Sequence, residues 1–232
     1  MAYRIALFDA DNTLLDFTRS EREALCICLA ARGISTDEET IQLYSRINDR
    51  HWKRLEKGLT TRDRLKVERF ADFFSELGFC CDASRIAEDY VTALSNQRFL
   101  IDGALDLVKA LHGQCSLYVI TNGISSVQRS RFGGCPLAPY FDGSFISEEM
   151  GCAKPDPIFF ERVAARIPDF SPLDALVIGD SLTSDMEGGI HAGLDTCWFN
   201  PMGKPAPAGM PITYTVSSLS EIRPILLGSV SD

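Results

Sequence analysis

The chain has 232 residues, 45% of them hydrophobic, which suits one large domain or a domain carrying an insertion, with a sizeable buried core. Its 32 acidic against 23 basic side chains leave a formal charge of -9, which argues against general affinity for nucleic acid or an anionic membrane and favours a small-molecule partner. The eight cysteines show no C-x-x-C pair and no regular spacing, so they point to neither a zinc site nor a disulfide framework, and most sit in apolar stretches as small core residues.

The first predicted element is a strand. Residues 4 to 9 ("RIALFD") form a short apolar run closed by Asp9, the pattern of a strand buried on both faces. With Arg4 and Asp9 interrupting it, this run is too short for a signal peptide, and no window approaches the roughly 18 apolar residues of a membrane span, so a reduced, cytoplasmic setting is expected. Residues 17 to 98 then read as successive amphipathic helices without a convincing strand. They hold 14 Lys plus Arg and 14 Asp plus Glu, so the acidic excess lies entirely elsewhere. Thr18 to Glu21, Thr36 to Glu39 and Thr60 to Asp63 each read as a capping box opening a helix, one of them predicted over 37 to 57. The stretch 46 to 69 has nine Lys or Arg against four Asp or Glu and reads as a solvated helical face, with steering of phosphate anions as the lesser reading.

From 99 onward helices and strands alternate: a helix over 103 to 113, a strand over 116 to 121 ("SLYVIT") and a helix over 124 to 132. A helix follows over 156 to 167, with Asp156 as N-cap and Pro157 in its first position. A strand over 174 to 180 ("DALVIGD"), a helix over 184 to 192 stopped by Gly193, and a strand over 195 to 199 ("DTCWF") complete the pattern. Residues 200 to 211 are a proline-rich loop. This alternation predicts an α/β fold with a doubly wound, Rossmann-like parallel sheet formed by 1–16 and 99–232. The helical block 17–98 is expected as an inserted cap domain over the sheet's C-terminal edge.

In open α/β sheets ligands bind outside the carboxyl ends of the strands, so polar residues closing apolar strands are the candidates. The first strand end gives Asp9, Asp11 and Thr13; the second gives Thr121, Asn122 and Gly123; Lys154 precedes a helix; the next strand end gives Asp180, with Asp185 five residues on. In an extended segment i and i+2 point to one side, so Asp9 and Asp11 can face one ligand. One carboxylate can attack an electrophile while the other, held protonated, gives a proton to the leaving group and later takes one from water. Alone, the pair reads more readily as one acid capping a loop and the other solvated. Asp180 and Asp185 add hard oxygen ligands of the kind Mg²⁺ prefers, although Asp185 alone also fits a cap on the helix near Ser184. Ionised Asp9, Asp180 and Asp185 sum to three negative charges, which Mg²⁺ and Lys154 cancel if Asp11 is protonated. Thr121 and Gly123, just before a helix, favour anion binding. Lys154, taken alone, reads as a solvated loop lysine, and His51, His112 and His191 have no spacing that suggests a metal site.

Together and in this order, D-x-D-x-T, a strand-ending Thr, Lys-Pro and G-D-x-x-x-x-D resemble the four motifs of the haloacid dehalogenase-like hydrolases, across essentially the whole chain and including the helical insertion. "FDADNTLLDF", "ITNG", "ISEEMGCAKPDPIFF" and "GDSLTSD" are similar to the bacterial pyrimidine 5'-nucleotidase subgroup. The resemblance implies a Mg²⁺-dependent phosphomonoester hydrolase acting on a nucleoside monophosphate. Asp9 would be the nucleophile that becomes an aspartyl-phosphate, and Asp11 the general acid and base. Mg²⁺ would be held by Asp9, the Asp11 carbonyl and Asp180, with Asp185 orienting Lys154; Thr121 and the Asn122 N–H would bind phosphoryl oxygens. Dehalogenases of the superfamily lack the second motif-one Asp, so Asp11 speaks for phosphate chemistry. A phosphatase or mutase for sugar phosphates is the alternative within enzymes, since one core serves many substrates. A phospho-Asp receiver module is the alternative outside them, disfavoured by the position of its acidic pair and the 80-residue insertion here. Phe17 and Trp52 are either a stacking wall for a nucleobase or packing residues of the cap.

Overall fold

The structure, a computed structural model, describes residues 2–228. In chain order its elements are β1 (Ile5–Phe8), α1 (Phe17–Ala30), α2 (Glu38–Glu56), α3 (Arg62–Leu77), α4 (Ala83–Ser95), α5 (Ala104–Leu111), β2 (Ser116–Thr121) and α6 (Ser125–Gly133). They continue with β3 (Gly143–Ile146), α7 (Ser147–Met150), α8 (Pro157–Ala164), β4 (Ala175–Gly179), α9 (Glu187–His191), β5 (Asp195–Phe199), β6 (Tyr214–Val216) and α10 (Ile222–Leu227). The chain divides into two compact units, one made of residues up to Phe17 and from Arg98 onward, the other of Thr18–Gln97.

The first unit is a six-stranded sheet in the order β3-β2-β1-β4-β5-β6, with every pairing parallel. Its central strands are apolar throughout because both faces are covered. Ala6 and Phe8 of β1 join Val119, Ile178, Val108 of α5 and Ile222 of α10 on one face. Ile5 and Leu7 join Ile120, Val177, Trp198 and Phe159 of α8 on the other. The period-two alternation of β1 between two cores is what a continuous apolar run encodes. The α/β class expected from the sequence is the one observed.

Two strands carry no clear sequence signal, β3 ("GSFI") and β6 ("YTV"). Both are short edge strands, only partly buried, so neither has the apolar run that marks the others. The helix expected over 184 to 192 starts instead as a π-helical turn, Leu182–Met186, before α9.

The second unit has its own core. Tyr44 stacks on Phe70 with ring centroids 5.2 Å apart, and Phe70 meets Tyr90 edge-on at 5.3 Å. The capping boxes are corrected by one residue or more. Asp37, not Thr36, caps α2, its carboxylate accepting from the Thr40 N–H at 2.8 Å, and Thr61, not Thr60, caps α3. Thr18 lies inside α1, where Glu21 is buried and accepts from Ser45 Oγ and Asn48 Nδ2, each at 2.6 Å, instead of turning back to a cap. The basic stretch 46 to 69 is not wholly a solvated face either: Arg69 is buried, donates to Asn48 Oδ1 at 2.9 Å and lies over the Phe70 and Tyr90 rings. Of the eight cysteines, all with free thiols, Cys28, Cys135 and Cys197 are buried and the half-buried Cys115 and Cys152 pack against the two cores of the sheet. Among the described residues no helix is long and apolar enough to cross a membrane. Phe70→Ala, which empties the centre of the aromatic cluster, is expected to cost about 3–5 kcal/mol, read from urea denaturation followed by circular dichroism.

Candidate active site

β1 sits between β2 and β4, so the C-terminal ends of these three strands open side by side at the centre of the sheet. Asp9 leaves β1 still paired, its N–H donating to the Ile178 carbonyl at 2.8 Å. The chain then turns sharply. The N–H groups of Leu14 and Leu15 both bond the Ala10 carbonyl, the Asn12 N–H bonds the Leu15 carbonyl at 2.7 Å, and Asn12 adopts φ 60°. The chain already bends at Ala10, between Asp9 and Asp11, and in the folded chain their carboxylates bond different partners.

Asp9 turns to Lys154. The Lys154 ammonium donates to Asp9 Oδ1 at 2.7 Å, to Asp185 Oδ1 at 2.5 Å and to the Ile120 carbonyl at 3.0 Å, using its three protons on the ends of three elements. It is 1% exposed, which corrects the solvated-loop reading. Asn122 fixes the lysine's backbone: its Nδ2 donates to the Lys154 carbonyl at 2.8 Å and its Oδ1 accepts from the Lys154 N–H at 3.0 Å. Asp185 is set by the π-helical turn, its Oδ2 accepting from the Ser181 N–H at 3.1 Å. Gly179 makes room for it, since a Cβ there would collide with the Asp185 carboxylate. Trp198 Nε1 donates to the Asp180 carbonyl at 2.9 Å and anchors that loop.

Asp11 turns to α6. Arg131 Nη1 donates to its Oδ1 at 2.5 Å and Gln128 Nε2 to its Oδ2 at 2.5 Å. Sequence reasoning missed both residues; the available signal was their spacing three apart on the helix that follows Thr-Asn-Gly, which puts them on one face. Buried Arg131 also adds a positive charge that the sequence-based sum left out. Thr121 Oγ1 accepts from the Gly123 N–H at 3.1 Å and from Gln128 Nε2 at 3.2 Å. With both lone pairs engaged, its own proton is the one left to donate.

Carboxylate oxygens of Asp9, Asp180 and Asp185 lie within 4.8 Å of one another, an all-oxygen donor set that fits a divalent cation. The Asp11 carboxylate is not part of this trio. Burial above all lifts Asp9 well above the usual carboxylate range; Lys154 opposes it, and the charges of Asp185, Asp180 and Asp11 add to it. Burial first, then the Asp185 charge, push Asp180 up to about 7 against the pull of Lys154. For Lys154, burial pulls the ammonium down, but Asp185 and Asp9 outweigh it and hold it above its ordinary range. A crowded set of carboxylates with one cation beside it is short of positive charge, which a metal ion would supply.

The family model of the haloacid dehalogenase-like hydrolases matches residues 3–193. The chain belongs to this hydrolase family. It is 40% identical to the HAD-hydrolase YfnB of Bacillus subtilis over 97% of this chain and 95% of that one. The crystal structure of YfnB bound to magnesium superposes with a TM-score of 0.92, covering 97% of this chain and 99% of the other. The pyrimidine 5'-nucleotidase PynA of Streptococcus pneumoniae is 38% identical over 96% of this chain and 94% of its own length. For the pyrimidine 5'-nucleotidase YjjG of Escherichia coli the identity is 33%, over 94% and 96%.

The two aromatic candidates fall in different units. Phe17 closes the first segment of the α/β unit, half-buried, with the Arg131 guanidinium 5.7 Å from its ring centroid. Trp52 lies half-buried on α2 of the helical unit.

The raised Asp9 and Asp180 make metal-free stability depend on pH. Asp180 keeps its proton in the folded state where an unfolded chain, with carboxyls near about 4, has lost it, so its contribution is full below that value and declines as pH rises through about 7, and the upward shift of Asp9 acts in the same direction. In the presence of a chelator the melting temperature is expected to fall between pH 5 and 8 relative to protein with a divalent cation. The stabilisation by the cation should grow over the same window, as read by scanning fluorimetry.

Proposed function

We propose that this hydrolase is a Mg²⁺-dependent phosphatase of pyrimidine nucleoside 5'-monophosphates. The observation that carries the reading is the separation of two carboxylates from one strand end: Asp9 beside Lys154 and the acidic trio, Asp11 against Gln128 and Arg131. Two acids in distinct surroundings suit two different tasks. The nucleotidase part is supported by PynA and YjjG, at 38% and 33% identity.

In this reading Asp9, Asp180 and Asp185 would hold Mg²⁺, with the Asp11 carbonyl as a further ligand. The ion, when bound, supplies positive charge that lets a phosphate dianion approach and stabilises the charge developing on its oxygens. Lys154 adds a fixed positive charge beside the nucleophile, and the Thr121 proton, left over after its oxygen has accepted two N–H groups, donates to a phosphoryl oxygen. One Asp9 oxygen attacks phosphorus, the bond from phosphorus to the ester oxygen breaks, and the leaving oxygen takes its electron pair and a proton from Asp11. Asp11, now ionised, takes a proton from water as that water attacks the aspartyl-phosphate, which releases inorganic phosphate and returns Asp9.

Phosphate release from uridine, cytidine and thymidine 5'-monophosphates tests the reading. Turnover is expected with Mg²⁺ and is expected to vanish on chelation. Asp9→Asn should lower it by at least about 10³-fold with the fold intact by circular dichroism, because a covalent nucleophile is lost. Turnover of other phosphate esters but of no pyrimidine nucleotide would remove the nucleotidase assignment and leave the phosphatase one.

A further inference from the structure

We propose that Gln128 and Arg131 are positioning residues for proton delivery, holding the Asp11 carboxyl group in the orientation from which it serves the leaving oxygen. The inference rests on the phosphatase reading and extends it to two residues outside the four motifs.

The geometry is two-sided. Arg131 Nη1 takes Asp11 Oδ1 and Gln128 Nε2 takes Asp11 Oδ2, each at 2.5 Å, so rotation of the carboxyl group about its own axis is blocked from both ends. N–H donors on both oxygens make the restraint directional, and each oxygen keeps room for a proton or a further contact. The donors are themselves fixed. The Arg131 side chain is fully buried and its guanidinium lies over the Phe17 ring, which belongs to the same short segment as Asp11. Gln128 is buried, and its amide packs where Gly123 leaves space: a Cβ at Gly123 would collide with it.

The same Gln128 Nε2 reaches Thr121 Oγ1 at 3.2 Å, so one amide ties the proton carrier to the residue facing the phosphoryl group. Burying a guanidinium and an amide side by side on one face of α6 costs desolvation that apolar side chains of similar size would not incur. The contact with Asp11 offsets part of that cost, the Gln128 Oε1 remaining buried without a hydrogen-bond partner. Asp11 meets α6, while Asp9, two residues earlier, bonds Lys154. The nucleophile and the proton carrier are thus held by separate cations on separate elements. A proton carrier displaced by a fraction of an ångström loses most of its effect, so the orienting pair matters in proportion to how much the leaving group needs the proton.

Leaving-group dependence reads this role directly. kcat/KM, which is blind to later hydrolysis of the phosphoenzyme, is measured for a series from ethyl phosphate, the poorest leaving group, through substituted phenyl phosphates to 4-nitrophenyl phosphate, the best. For Arg131→Met the ratio of kcat/KM on ethyl phosphate to that on 4-nitrophenyl phosphate is expected to fall roughly 10- to 100-fold, with a steeper dependence on leaving-group basicity, and Arg131→Lys should recover part of it. Gln128→Leu should lower the same ratio, a quantity from which any general loss of phosphate binding through Thr121 cancels; it also carries the test if Arg131→Met fails to fold. In an Asp11→Asn background either substitution should add little, because the group it orients has lost its proton. Equal losses across the series, an unchanged ratio, or full additivity with Asp11→Asn would overturn the proposal and return both residues to packing. A wild-type protein that hydrolyses neither an ester of the series nor a nucleoside monophosphate would instead remove the phosphatase reading itself.

Discussion

The ammonium of Lys154 joins the ends of three neighbouring strands of the sheet. It bonds the carboxylate that follows β1, a carbonyl of β2 and the carboxylate carried by the π-helical turn after β4, all in a space closed to solvent. Without it, Asp9 and Asp185 would face each other as buried like charges, and the loops that carry them would have reason to separate. A buried ion cluster of this kind is a poor way to gain stability, since desolvation consumes most of the attraction. Its value lies in fixing where the carboxylates stand. The rest of the site is arranged to keep the lysine in place, from the Asn122 side chain clipped to its peptide to the missing side chain at Gly179 that admits Asp185.

Around that cluster the site sorts its charges by element. The loops after β1 and β4 supply the acids that suit a divalent cation; α6 supplies a guanidinium and an amide to the one acid left outside the trio. Under the proposed chemistry this sorting is what allows two aspartates only two residues apart to do unlike work, one as nucleophile and one as proton carrier. The environment, not the side chain, assigns the role.

The helical unit follows another logic. Its centre is an aromatic cluster threaded by a polar chain, Glu21 to Asn48 to Arg69, with every member buried. Hydrogen-bonded polar groups in a small core specify how the helices register on one another at the cost of some packing energy. A unit with its own core can be inserted between the first strand and the rest of the sheet without drawing on the sheet's hydrophobic layers.

The sequence by itself determined the four apolar strands of the sheet, the helical insertion and the order of the motif residues. Strands buried on both faces must be apolar throughout, so β1, β2, β4 and β5 stand out as runs, and the polar residues closing them mark the site in the sequence alone. Edge strands β3 and β6 lack that requirement and left no comparable signal. The helix starts were misplaced by a residue or more because Thr36 and Asp37, or Thr60 and Thr61, are equally able caps, and the surrounding fold chooses between neighbours. Only the tertiary structure decided that Lys154 is buried, that Asp9 and Asp11 bond different partners, that Arg69 belongs to a core, and that Gln128 and Arg131 meet Asp11 more than a hundred residues away in the chain. Periodicity and composition report which side chains leave water; they do not report which charges meet once there, because that depends on contacts made across the sheet between segments distant in sequence.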